Sequence, residues 1–405
     1  MIDLDRIRQA AARNQDVALV TPLLHSRFLS DVTGADVWLK AENLQRTGSF
    51  KVRGAANRVQ LLTAEERVRG VIAASAGNHA QGVAVAAQAL GVPCTICMPI
   101  DASLTKVEAT RGYGARIELG GAAFDDALAR AREICADEGS VFISPFDDED
   151  VIAGQGTLGL EVLEQLADPD LVIVPCGGGG LISGTAIAIH EQRPATRIVG
   201  VQAEACAPFV ASLAAGAVTA ATSAGTIADG IAVKRPGEIT FPLVQQYVEQ
   251  MLTVDDEQIA AAMTLLVERQ KLVVEGSGAA GVAALMSGQL GDVAGKRVVI
   301  VLSGGNIDLL LLQGIMRHGL TSAGRYMRFT TRMADRPGSL REFLDVLTAE
   351  RVNIVDMFHH RDGTDLGVKD TAVDITVETK DHAHGEHVLE RIRSSGYPAE
   401  RMSLN

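Results

Sequence analysis

The sequence predicts an α/β protein closed by a smaller α+β module. Short runs rich in Val, Ile and Leu alternate with Ala-rich stretches of helical period through the first three-quarters of the 405 residues. That alternation is the signature of right-handed βαβ units on parallel sheets. After about residue 320 the order becomes strand, helix, strand, strand, helix with a candidate last strand, which suits an antiparallel sheet. Composition agrees: 47% hydrophobic residues, 41 glycines and a single Trp fit an enzyme-like chain of tight turns, with length for two or three domains.

Taken in order, residues 35–40 form a strand, and Thr47-Gly48-Ser49-Phe50-Lys51-Val52-Arg53-Gly54-Ala55 then starts a helix. Residues 68–74 are a short apolar run, and 80–90 a helix closed by Gly91. Strands at 94–98 and 116–119, a helix at 123–138 and a strand at 141–143 follow. The strand 171–175 runs through four glycines into a helix ending at His190, before a strand at 198–202. A helix at 259–271 and a strand at 297–302 complete the α/β part. In the tail, 326–333 alternates like an exposed-edge strand, 339–350 is a helix, 354–360 and 371–378 are strands, and 384–394 is a helix. Residues 319–325 read as the linker.

Bulk properties exclude several classes. A formal charge of −13 argues against nucleic acid or an anionic membrane as partner. Every long apolar stretch is interrupted by Gly, Thr or charge, so no bilayer span is expected. The start Met1-Ile2-Asp3-Leu4-Asp5-Arg6 lacks a basic region followed by an apolar run, which points to the cytoplasm. Five cysteines are scattered along the chain. Cys94-Thr95-Ile96-Cys97 has redox spacing but lies in a strand rather than at a helix start, so it reads as buried structure.

Three helix starts carry the chemistry. Lys51 stands among glycines and small residues at the first, where the partial positive charge of a helix N-terminus disfavours an ammonium and favours the free amine. A free amine can form a Schiff base with an aldehyde. The second is Ser75-Ala76-Gly77-Asn78-His79-Ala80-Gln81-Gly82, whose small residues leave backbone N–H groups open for a carboxylate. Asn78 adds a neutral amide able to meet a phenolic oxygen. His79 could be a general base, although a histidine in a turn is more often a hydrogen-bonded scaffold residue.

The third start is Pro175-Cys176-Gly177-Gly178-Gly179-Gly180-Leu181-Ile182-Ser183, where consecutive glycines let amides converge on a phosphate. A dinucleotide reading competes here, because Gly178-x-Gly180 begins a GxGxxG pattern and Glu204 closes the next strand. Ser183 occupies the third glycine position, however, and no acid/base constellation for hydride transfer lies nearby. A monophosphate anchor suits the loop better. Ser303-Gly304-Gly305-Asn306 ends the strand 297–302, where a hydroxyl could face a ring nitrogen and leave it neutral, a weaker electron sink than a carboxylate-paired one.

Together these four segments resemble the fold type II pyridoxal phosphate enzymes, particularly the threonine and serine ammonia-lyases. The resemblance covers roughly residues 5–315, and GSFKVRGA, SAGNHAQG and GGGGL in series are far more specific than any one of them. It implies two parallel-sheet α/β domains, with residues about 48–147 a smaller mobile domain inserted in a catalytic region 1–320. It implies pyridoxal 5'-phosphate bound as an imine to Lys51, with Asn78 at its phenolic oxygen. Gly177, Gly178, Gly179, Gly180 and Leu181 would hold its phosphate, and Ser303 would face its ring nitrogen. Ser75, Gly77 and His79 would surround the substrate carboxylate. Pro145-Phe146-Asp147-Asp148, Gly154-Gln155-Gly156-Thr157 and Glu275 match further family segments near the site.

The implied reaction is β-elimination from L-threonine, and from L-serine, giving ammonia and a 2-oxo acid. Serine racemases of this family carry a serine where this chain has Ala76, so one-faced elimination is expected rather than racemisation. Relatives bind a divalent cation through a glutamate at Glu204, a carbonyl at Pro208 and an aspartate where this chain has Val210; losing that carboxylate weakens the site. The tail from Asp335-Arg336-Pro337-Gly338-Ser339-Leu340 resembles an ACT domain over 325–405, with Gly338 and Asn353 as regulatory contacts. Isoleucine as inhibitor, opposed by valine, is the effector pair it implies, and a homodimer or homotetramer the assembly. His382, His384 and His387 read as surface residues near a helix start capped by Asp381. From other classes, a nicotinamide-dependent enzyme and an amino-acid sensor with a vestigial catalytic half remain as alternatives.

Overall fold

In the computed structural model, which describes residues 2–222, 224–361 and 366–402, the chain divides into two units, Met1–Asp308 and Leu309–Asn405. The first contains two sheets. The larger has the strand order Leu23–His25, Asp36–Ala41, Arg297–Leu302, Leu171–Pro175, Arg197–Ala203, Gln250–Val254, parallel except for the first pair. Its central strands read as continuous apolar runs because helices cover both faces; every residue of Leu171–Pro175 is buried. The smaller sheet is fully parallel, in the order Arg116–Leu119, Cys94–Met98, Val71–Ala74, Val141–Phe142.

The helices between these strands form for local reasons. Asn78–Leu90 is buried nearly all round and stops at Gly91, whose φ of +65° supplies the left-handed cap. Glu149–Gln165 starts where the Asp148 carboxylate accepts from the amides of Asp150 and Val151. Lys51–Gln60 packs on both of these helices, and Gly82 permits the contact, since a Cβ there would stand 3.0 Å from Lys51 C and Val52 N.

Beneath Lys51–Gln60 lies a buried set of charges. Arg53 donates to Glu42 (2.7 Å) and to Glu161 (2.5 Å), and Lys40 donates to Glu161 (2.5 Å) and to the Thr21 carbonyl (2.7 Å). Two cations and two carboxylates are thus removed from water together, tying this helix to the large sheet and to helix Glu149–Gln165.

The second unit is a four-stranded antiparallel sheet in the order Ile354–His360, Asp370–Glu378, Tyr326–Ala334, Ala399–Arg401, with helices Ser339–Ala349 and His382–Ser394. Tyr326–Ala334 pairs on both sides, so it is an interior strand; its alternation reflects one covered face rather than an edge. Helix Leu309–Ser322 runs through much of the stretch expected as linker. The helix expected over 259–271 stops at Leu265, continues as a π turn over Leu266–Gln270 and ends at Lys271, where φ is +60°. No helix among the described residues is long and apolar enough to cross a membrane.

Candidate active site

Lys51 opens its helix with a half-buried amine that donates to the Pro145 carbonyl at 2.8 Å and lies 5.2 Å from the centre of the Phe50 ring. Burial lowers its pKa to about 8 against the opposing pull of Glu275, so roughly a tenth is the free amine at pH 7, far more than for an ordinary lysine. Pro145 leads directly to Phe146, whose ring backs the glycine turn: a Cβ on Gly178 would stand 2.5 Å from Phe146 Cδ2. Gly179 takes φ +96° as it enters the helix Gly180–His190, a conformation natural to glycine.

The amides of this turn test whether an anion belongs there. Those of Gly177, Gly178, Gly179, Gly180, Leu181 and Ile182 find no acceptor among the described residues, although all but Gly177 belong to buried residues. Leaving a buried N–H unpaired costs about 1–3 kcal/mol. A phosphate seated at this helix start would satisfy several at once.

The 75–80 turn repeats the arrangement on a smaller scale. Ser75 Oγ accepts from Gly77 N at 3.1 Å, and Gln81 N reaches the Gly77 carbonyl, while the amides of Ala76, Asn78, His79 and Ala80 have no acceptor among the described residues. Any Cβ added to Gly77 would meet open space. His79 is buried with Nε2 2.9 Å from the Ile143 carbonyl, which can only accept; Nε2 therefore carries the proton. Burial, with Lys51 nearby, lowers its pKa to about 3, so it is a neutral scaffold residue rather than a base.

Asn78 joins this turn to the rest of the site. Its Nδ2 donates to Glu275 Oε1 at 2.7 Å, and its Oδ1 accepts from Asn306 Nδ2 at 2.7 Å. Glu275 is buried, and burial followed by the charge of Asp229 raises its pKa to about 7. Its amide donates to the Gly304 carbonyl, Phe50 N donates to the Ser303 carbonyl, and Ser49 bridges Gly304. Ser303 is itself buried. Lys51, Asn78, His79, Ser303 and both amide-rich turns are thus linked through Pro145–Phe146, Glu275 and the 303–306 turn, segments far apart in sequence.

Other residues lie apart from this cluster. Glu204 is exposed, and Pro208 opens helix Pro208–Ala215, whose Phe209 backs Gly179. Among the described residues no group of three or more His, Cys, Asp or Glu gathers to hold a metal. Cys94 and Cys97 are free thiols whose pKa values burial raises to about 12 and about 11, unsuited to redox exchange. In the second unit Gly338 takes φ +100° before helix Ser339–Ala349, and Asn353 donates to Glu378 at 3.0 Å. His382, His384 and His387 each bond a different partner, and Asp381 caps their helix. Sequence reasoning assigned no role to Asn306, the Pro145 carbonyl or Asp229. Only the SGGN motif hinted at the first of these.

A lysine with a lowered pKa, a glycine turn at a helix start and a second open helix start suit one class, and the chain belongs to it: the family of pyridoxal-phosphate dependent enzymes matches residues 15–304. Its cofactor is pyridoxal phosphate. An ACT domain matches residues 328–396. The chain is similar to the L-threonine ammonia-lyase of Thermotoga maritima (46% identity over 98% of each chain). It is also similar to that of Geobacter sulfurreducens (44% over 97% of this chain and 96% of the relative). Among solved structures, maize serine racemase superposes with a TM-score of 0.75 at 36% identity, covering 79% of this chain and 98% of that one. Threonine deaminase isoform 2 from Solanum lycopersicum superposes with 0.74 at 38% identity, covering 78% and 94%.

Proposed function

We propose that the chain eliminates water from L-threonine and releases 2-oxobutanoate and ammonia, with L-serine as a second substrate, under feedback from an amino acid bound by the ACT domain. The observation that carries this is a half-buried amine, Lys51, with its pKa lowered to about 8, linked to two turns in which most amides find no acceptor among the described residues. The names of the full-length relatives support threonine as substrate.

When bound, pyridoxal phosphate supplies the electron sink that makes the substrate Cα–H acidic. The chain's own groups do the rest. Amides of Gly177–Leu181 would hold the phosphate, Asn78 would serve the phenolic oxygen, and the Ser303 hydroxyl would serve the ring nitrogen and leave it neutral. Ser75, Gly77 and the amides of the 75–80 turn bind the substrate carboxylate, with His79 keeping the turn in place. Lys51 takes the Cα proton, the departing β-hydroxyl gains a proton in its place so that water leaves with no net change in protons, and hydrolysis of the released enamine gives ammonia. On the other face Ala76 can neither give nor accept a proton, so elimination proceeds without racemisation.

Residues 1–320 form the catalytic region in this reading, with 48–147 its mobile lobe, and 325–405 the regulatory domain. Gly338 and Asn353 contribute to an effector site for a branched-chain amino acid, and the working assembly is a homodimer or homotetramer. The purified enzyme should absorb in the visible and form 2-oxobutanoate from threonine, and Lys51→Ala should lose both. A colourless protein that binds NAD would overturn the reading. Isoleucine added to the full chain should lower turnover; indifference to every branched-chain amino acid would remove the feedback.

A further inference from the structure

We infer that Asn306 is a positioning residue that fixes which end of the Asn78 carboxamide faces the site. The inference rests on Asn78 being the partner of the cofactor's phenolic oxygen. A carboxamide turned end for end fills the same space, so shape alone does not choose between a donor and an acceptor at that position. The hydrogen-bond chain does.

Asn306 Nδ2 lies 2.7 Å from the Thr47 carbonyl and 2.7 Å from Asn78 Oδ1. A backbone carbonyl can only accept, so the Asn306 atom facing it must be the NH2. That group has two hydrogens, and the second points to Asn78. The facing atom of Asn78 must therefore be its oxygen, and the NH2 of Asn78 is left on the opposite side. There one hydrogen goes to Glu275 Oε1 at 2.7 Å, and the other has no acceptor among the described residues. That spare N–H is the donor a phenolic oxygen needs.

Glu275 cannot impose this orientation alone. Its pKa is raised to about 7, so near neutrality a large fraction is protonated and could equally donate to an oxygen of Asn78. The Thr47 carbonyl does not titrate, and the direction it sets is independent of pH. Gly48 makes the anchor possible. Its φ of +71° and missing side chain leave room for the Asn306 carboxamide, whose Cγ would lie 3.0 Å from a Cβ there. Gly305 N also donates to the Gly48 carbonyl at 2.8 Å, holding the two turns in register.

A double-mutant cycle on the holoenzyme tests this, read by the ratio of the long-wavelength to the near-ultraviolet cofactor band. Donation to the phenolic oxygen favours its ionised form and the long-wavelength band. Asn306→Ala should lower the ratio by about three- to tenfold, the weight of one hydrogen bond. Asn78→Ala should lower it similarly, and Asn306→Ala should then change nothing further. An unchanged ratio in Asn306→Ala, or effects that multiply in the double variant, would overturn the inference. A merely structural Asn306 would lower the melting temperature of the apoprotein in both backgrounds and leave the ratio alone, which also counts against it. Should Asn306→Ala not fold, the near-isosteric Asn306→Asp places an acceptor where only a donor fits and runs the same cycle with the same expected direction. A colourless wild-type protein would sink the functional reading and this inference together, whereas additive effects in a coloured one sink the inference alone.

Discussion

Replacing Glu275 by glutamine isolates one buried proton. The wild-type carboxyl has its pKa raised from 4.5 to about 7, by burial first and by the charge of Asp229 second. A carboxyl whose folded pKa lies above its unfolded value binds its proton more tightly when folded. Its contribution to stability is therefore complete below pH 4.5 and lost as the pH rises through 7. At ~1.36 kcal/mol per unit, the loss is about 3 kcal/mol. Glutamine keeps an oxygen for Asn78 and has no proton to lose. In thermal melts of the apoprotein from pH 5 to 8, the variant should gain on wild type by up to about 3 kcal/mol. That is roughly 5 °C in a unit of this size. Any constant offset from the altered packing drops out, because the slope against pH is the quantity read. A difference that stays flat from pH 5 to 8, or one that runs the other way, would refute the assignment of a perturbed carboxyl to this position.

Three further outcomes can be checked directly. Gly178→Ala drives a methyl into the Phe146 ring, an overpacking worth about 1–3 kcal/mol, and should weaken cofactor binding by about tenfold or more in equilibrium titration while leaving substrate selectivity unchanged. Ala76→Ser supplies the missing proton group on the second face, so D-serine should appear slowly when L-serine is the substrate; chiral analysis that finds none would count against the role given to Ala76. Gly338→Ala forces a side chain onto φ +100° at a cost of about 1–3 kcal/mol, and should blunt inhibition by isoleucine in steady-state assays without lowering turnover in its absence.

Much of the fold was legible because its central strands are short apolar runs punctuated by Gly or Pro. Cys94–Met98, Arg116–Leu119, Leu171–Pro175 and Arg297–Leu302 stand where the sequence pattern puts them. Pairing was harder to read. Tyr326–Ala334 alternates as a strand with one face to solvent, and alternation is the same for an interior strand of a sheet covered on one side. Its second partner, Ala399–Arg401, is three residues long and gives almost no periodic signal. Within the site, glycine-rich turns announced the open amides, since few other sequences leave them exposed. The pairing of Asn78 with Glu275 and Asn306 was not legible, because these partners lie 197 and 228 residues away and local spacing cannot register such pairs. Lys40 and Arg53 likewise look like ordinary surface cations until Glu42 and Glu161 are seen beside them.

Those four ions give the helix that opens on Lys51 an unusual mounting. Dissolved salt weakens exposed pairs such as Arg130 with Glu133, yet mobile counter-ions cannot enter where Arg53 is 1% accessible. The footing of Lys51 should therefore be the same in dilute buffer and in brine. The same isolation makes it brittle to mutation: deleting any one member strands an uncompensated charge at about 3–5 kcal/mol. A catalyst built this way tolerates a changing medium far better than a changing gene.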